Sequence, residues 1–155
     1  VRVVGIDPGK TTGFVVVETT PKKAQVKFCG QIDCSEDANT VFGRTLAEVI
    51  HEYGIEKIGC ERFVIAQRTL SLTRELDALY VIGVARYIAA LQDVTLRLQT
   101  PADAKSAWRD GRIDHNVEKR TIKGNVPFRA RPHARDALRH ALLISDFVGL
   151  VPERV

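Results

Sequence analysis

At 155 residues, 45% of them apolar and 27% charged, the chain has the length and composition of one compact globular domain, not of a disordered or fibrous protein. No apolar stretch is long enough to cross a bilayer and nothing resembles a signal peptide, so a cytoplasmic location with no membrane partner is expected. The net charge of +4 is unevenly spread: residues 97–139 hold eleven lysines and arginines against five acids, while residues 1–96 carry eleven against twelve. A basic segment of that kind is the footprint of a polyanionic partner, nucleic acid first, or else a solvated basic surface.

The first thirteen residues organise the rest. Val1 to Ile6 is a β-branched run that reads as a buried strand, and it ends in Asp7 and a Pro8-Gly9 turn before a second apolar run, Phe14 to Val17. A carboxylate beside a core at the mouth of a hairpin needs a cation, a donor or water, although Asp, Pro and Gly are also the ordinary residues of a β-turn. Phe14 to Glu18 and Ala24 to Cys34 complete three antiparallel strands. Ser35 is placed to cap a helix in which Val41, Phe42, Thr45, Leu46, Val49 and Ile50 recur at helical spacing up to Gly54. The strand that follows, Glu56 to Ile65, returns after a helix and is expected to lie parallel to the first. Glu61 sits in its middle or C-terminal part. A strand covered on both faces leaves such a charge in need of a cationic partner, unless the strand ends early or lies at an edge.

Residues 66–69 form a polar loop with Gln67 and Arg68, and a long helix is predicted from Leu70 to Leu91. Its apolar residues cover more than one stripe; the surplus, with Gly83 permitting close approach, fits either a second subunit or a neighbouring helix. Val94 to Leu98 alternates as a strand, and Thr100-Pro101 opens a short helix from Ala102 to Trp108, whose indole is a core residue or a base-stacking one. Residues 109–131 are polar, glycine-containing and basic, and are expected to be a mobile loop. The last helix, Pro132 to Phe147, packs through Ala134, Ala137, Leu138, Ala141, Leu142 and Ile144. His133 and Asp136, three apart, project from one face near the positive end of the helix dipole, which favours an ionised Asp136 and a neutral imidazole. Such a pair suits one cation, or else Asp136 complements the dipole beside a surface histidine. Cys29, Cys34 and Cys60 are odd in number and lack zinc spacing, so they are expected to be reduced; the sequence contains no methionine, so an initiator is expected before Val1.

Each acid has a harmless explanation alone. If the first and fourth strands are neighbours and the last helix packs on them, Asp7, Glu61, His133 and Asp136 meet at one edge of the sheet. Carboxylates converging without cysteine suit magnesium or manganese before zinc. Two such ions roughly 3.5–4 Å apart can clamp an in-line displacement at phosphorus, with a basic flank to grip phosphate. A metal-dependent nuclease is the function expected from these residues.

Gly5-Ile6-Asp7-Pro8-Gly9 with Gly13, then Glu61 on the fourth strand, Gly83 in the following helix, and His133-x-x-Asp136-Ala137-Leu138 resemble, in order and over most of the chain, the RuvC-type Holliday junction resolvases. The resemblance implies a ribonuclease H-like α/β fold over residues 1–155, with a five-stranded mixed sheet and helices on both faces. It also implies two magnesium (or manganese) ions per site and a homodimer that nicks branched DNA symmetrically. Asp7 would bridge both ions, Glu61 would bind one, and Asp136 with His133 the other; Lys105 and Lys119 would touch backbone phosphates. Lys10 and Arg68 are added as DNA contacts from their closeness in sequence to Asp7 and Glu61. The family places an aromatic a few residues after the glutamate to wedge the junction open, and Phe63 is offset from that place. Residues 109–131 depart from the bacterial pattern, which points to a phage or otherwise distant member, with broader action on flaps and forks as an alternative. Two rivals remain: a non-catalytic nucleic-acid-binding relative, and a phosphate loop like the D-x-G-x-T of actin and sugar kinases, which Asp7-Pro-Gly-Lys-Thr11 also resembles.

Overall fold

The computed structural model describes residues 1–34, 38–63 and 76–152. In chain order they form β1 (Arg2–Asp7), β2 (Thr11–Thr20), β3 (Lys23–Asp33), α1 (Ala38–Tyr53), β4 (Lys57–Glu61), α2 (Leu76–Leu91) and β5 (Thr95–Gln99). There follow α3 (Pro101–Ala107), α4 (Asp110–Glu118), β6 (Ile122–Gly124) and α5 (Pro132–Ile144). The described strands make one mixed sheet in the order β5-β4-β1-β2-β3-β6. The first three strands are antiparallel and β4 lies parallel to β1, as a crossover through α1 requires.

Alternation along the strands divides two cores. Val4 and Ile6 of β1, Phe14 and Val16 of β2, and Ile58 and Cys60 of β4 face α1 and α2. Val3, Val15 and Val17 face the other way, onto Ala137, Leu138, Ala141 and Leu142 of α5. The residues between, Gly5 and Asp7 of β1 and Gly59 and Glu61 of β4, therefore also point to the α5 side. Three glycines set how closely that helix sits. A Cβ on Gly13 would lie 1.9 Å from the carbonyl oxygen of His133, one on Gly5 1.9 Å from that of Ala137, and one on Gly59 2.5 Å from that of His140. These carbonyls recur at one helical face, so α5 rests its backbone directly on β2, β1 and β4.

Two expectations are corrected. Among the described residues the sheet has six strands, not five, and residues 109–131 are not one long loop: they include α4 and β6, which adds in parallel to the start of β3. The cause is a set of ion pairs invisible to local pattern. Arg135 and Arg139 on α5, 4% and 7% exposed, turn inward. Arg135 pairs with Asp110 (2.9 Å) and Asp114 (2.5 Å), and Arg139 with Asp110 (2.7 Å), which ties α4 to α5. These arginines are internal, so the basic flank is smaller than the charge count implies. Trp108 is a core residue, 3% exposed and stacked on Phe147 with ring centroids 5.4 Å apart. The fourth strand ends at Glu61, short of the expected Ile65, and α5 ends at Ile144, where the Ser145 hydroxyl donates back to the Leu142 carbonyl. The helix cap assigned to Ser35, the loop with Gln67 and Arg68, and the first part of the expected 70–91 helix lie outside the described residues. The cysteines are free, two of them buried.

Candidate active site

Strand register brings the two strand acids together. Ile6 pairs with Cys60, so Asp7 and Glu61, one residue further along adjacent parallel strands, end side by side on the α5 face. The seating of α5 on Gly13 then delivers its first turn to the same place: His133 Nδ1 lies 2.9 Å from Asp7 Oδ2. The His133 ring is half-exposed. Its Nε2 has no hydrogen-bond partner among the described residues.

Asp7 is 7% exposed. Burial, then the charge of Glu61, push its carboxyl up to about 6 from the ordinary 3.8; Asp136 adds to the rise, while the bond and charge of His133 work against it. Asp136 is held differently. Arg139 Nη1 pairs with its Oδ1, and Lys105 Nζ stands 3.8 Å from its Oδ2.

Glu61 is held by a residue that the sequence reading passed over. His140, 1% exposed, places Nε2 3.1 Å from Glu61 Oε2 and Nδ1 2.8 Å from Gln99 Oε1 on β5. His140 lies four residues after Asp136 and seven after His133, hence on the same helical face, and that spacing was the available signal. Within the Ala-Leu stripe of α5 it reads instead as one more core position. Arg139 counts instead with the basic flank of residues 97–139.

The four proposed ligands are thus gathered at one end of the sheet, with Lys105 beside them. Lys10 is exposed in the turn after Asp7, its carbonyl accepting from the Cys34 N–H at 2.7 Å. Lys119 is the C-cap of α4, at the opposite end of that helix from Asp110. Phe63 is half-buried against the α1/α2 core. Arg68 lies outside the described residues. The donor set, carboxylate oxygens with an imidazole nitrogen and no thiolate, fits a hard divalent cation, and the raised Asp7 carboxyl marks where positive charge is wanting. Among the described residues no three of these groups are placed, as they stand, to hold one ion, each acid being engaged by a protein partner.

Solved structures share this architecture. RuvC of Thermus thermophilus aligns over 92% of each chain at 22% identity and a TM-score of 0.73. The same protein in complex with a Holliday junction substrate aligns over 92% of this chain and 91% of that one, at 20% identity and 0.73. The yeast mitochondrial Holliday junction resolvase Ydc2 aligns over 94% of this chain and 76% of its own, at 14% identity and a TM-score of 0.62. No protein-family model matches the sequence, and neither does any curated protein.

Proposed function

The chain has the ribonuclease H-like fold of the RuvC-type resolvases, and from that premise we propose that it is a structure-specific endodeoxyribonuclease that cleaves four-way DNA junctions with two magnesium or manganese ions. The observation that carries the proposal is the meeting of buried Asp7 with Glu61 on the neighbouring strand and His133 on α5, where burial and the charge of Glu61 raise the Asp7 carboxyl to about 6. A fold gains nothing in stability from such a cluster of acids, which supports a functional role for it. The likeness to proteins solved as Holliday junction resolvases supports the choice of substrate.

Asp7 would touch both ions, Glu61 one, and His133 with Asp136 the other. When bound, they would supply an activated water and stabilise the leaving oxygen. The chain's own residues prepare for this. Asp7 would hold the ions as a carboxylate, the form it takes above its raised value of about 6. His133, fixed through Nδ1, keeps Nε2 turned to the opposite side of its ring. His140, wedged between Glu61 and Gln99, stops the Glu61 carboxylate from swinging away. Lys105, 60% exposed at the rim, and Lys10 offer charge to the phosphates flanking the cut.

Symmetric cleavage asks for two copies. Tyr80, Tyr87 and Leu91 of α2 are 58%, 65% and 65% exposed, and a Cβ added at Gly83 would meet nothing within 4 Å. That open apolar stripe supports a homodimer through α2. A panel of four-way junction, flap, fork and duplex, with magnesium, manganese or chelator, tests the activity. Junction cleavage that stops in chelator is expected, preference for flaps or forks would change the substrate, and no cleavage of any substrate would leave only a binding protein. Sedimentation showing monomer alone at micromolar concentration would remove the dimer.

A further inference from the structure

Five residues before His133 in sequence, the chain presents an aromatic ring that packing does not explain. Phe128 is 79% exposed, more than any other large hydrophobic among the described residues, and belongs to neither core. Its loop is not loose. The Phe128 carbonyl accepts from the Arg131 N–H at 3.0 Å, the Pro127 carbonyl accepts from Arg135 Nη1 at 3.1 Å, and Asn125 Nδ2 donates to the Lys27 carbonyl at 3.2 Å. Ordered backbone therefore holds the ring out in water, where its apolar surface is a cost unless something covers it.

The surroundings say what that is. Arg131 is exposed three residues further on, whereas Arg129, also exposed, is paired with Asp114. Beside the ring opens a cavity of about 550 Å³ with an apolar wall of Val117, Ile122 and Val126, Arg120 and Lys123 among its lining, and no acid. An aromatic face, an apolar wall and cations are what single-stranded nucleic acid takes: a base stacks and the backbone follows the charge. The place also fits. Five residues separate Phe128 from His133, which even fully extended spans at most about 18 Å, so the ring stands within a few nucleotides of the proposed cut.

Resting on the nuclease reading for its substrate, we propose that Phe128, with the cavity lined by Arg120 and Lys123, is a stacking site for an unpaired base of branched DNA. The test uses the full chain carrying Asp7→Asn, so that DNA stays intact, and a fluorescein-labelled four-way junction. Adding Phe128→Ala is expected to weaken binding about 5- to 100-fold, the range for loss of one base stack, while Phe128→Tyr keeps it. In a Phe128→Trp variant, emission should be quenched when junction is added, against a constant background from the buried Trp108. Parent-like binding by Phe128→Ala, or unchanged emission from Phe128→Trp on a bound junction, would overturn the proposal and leave the nuclease reading standing. The converse outcome is distinguishable: a chain that cuts nothing, yet loses junction binding with Phe128→Ala, keeps the stacking site and ends the nuclease reading.

Discussion

Replacing Asp7 by asparagine should stabilise the metal-free protein at neutral pH. Asp7 is buried beside Glu61 and its carboxyl is raised from 3.8 to about 6. An acid whose pKa is raised by folding contributes stability that is present below its unfolded pKa and lost as pH rises through the folded one. At pH 8 the ionised carboxylate therefore costs the metal-free fold about 3 kcal/mol, and at pH 5 about half of that. Asparagine cannot ionise and still offers an oxygen to His133 Nδ1. Thermal unfolding in chelator at pH 8 should place Asp7→Asn about 6–12 °C above the parent, the scale for a domain of this size. The gap should narrow by about half at pH 5. Magnesium should raise the parent alone, because only the native state of the parent carries the site. A variant no more stable than the parent at pH 8, or a gap independent of pH, would refute the reasoning.

Two further substitutions probe how the site is built. Gly5→Ala drives a methyl to 1.9 Å from the Ala137 carbonyl, so α5 must lift off the sheet; a stability loss of about 3 kcal/mol or more and loss of cleavage are expected, and a parent-like melting temperature would contradict the close seating. His140→Ala frees Glu61 and leaves Gln99 without its partner. Cleavage should fall about 10- to 100-fold and recover in part at higher manganese, whereas an unchanged metal titration would assign His140 to packing alone.

Much of this architecture is written in local pattern. Val3, Val4 and Ile6 announce a strand buried on both faces, and the period of two then sends Asp7 the same way as Gly5, and Glu61 the same way as Gly59. Asp136 and His133 are legible together because three residues make most of a helical turn. What pattern does not carry is pairing at a distance. Asp110 and Asp114 look like loop residues until Arg135 and Arg139, more than twenty residues later, turn inward to meet them and order α4. His140 hides because its neighbours Leu138, Ala141 and Leu142 are core, and its partners Glu61 and Gln99 sit on other strands. Phe63, offset from the wedge position of the resolvases, is half-buried against the core, while Phe128 stands free in a stretch expected to lack structure.

Side chains from β1, β4 and α5 are proposed to hold divalent ions in one pocket. Crystals soaked in manganese and measured at the manganese absorption edge test it directly. Anomalous density between Asp7, Glu61 and the His133/Asp136 pair, absent in Asp7→Asn crystals, is the predicted result. Manganese bound elsewhere, or none at millimolar concentration, would contradict it.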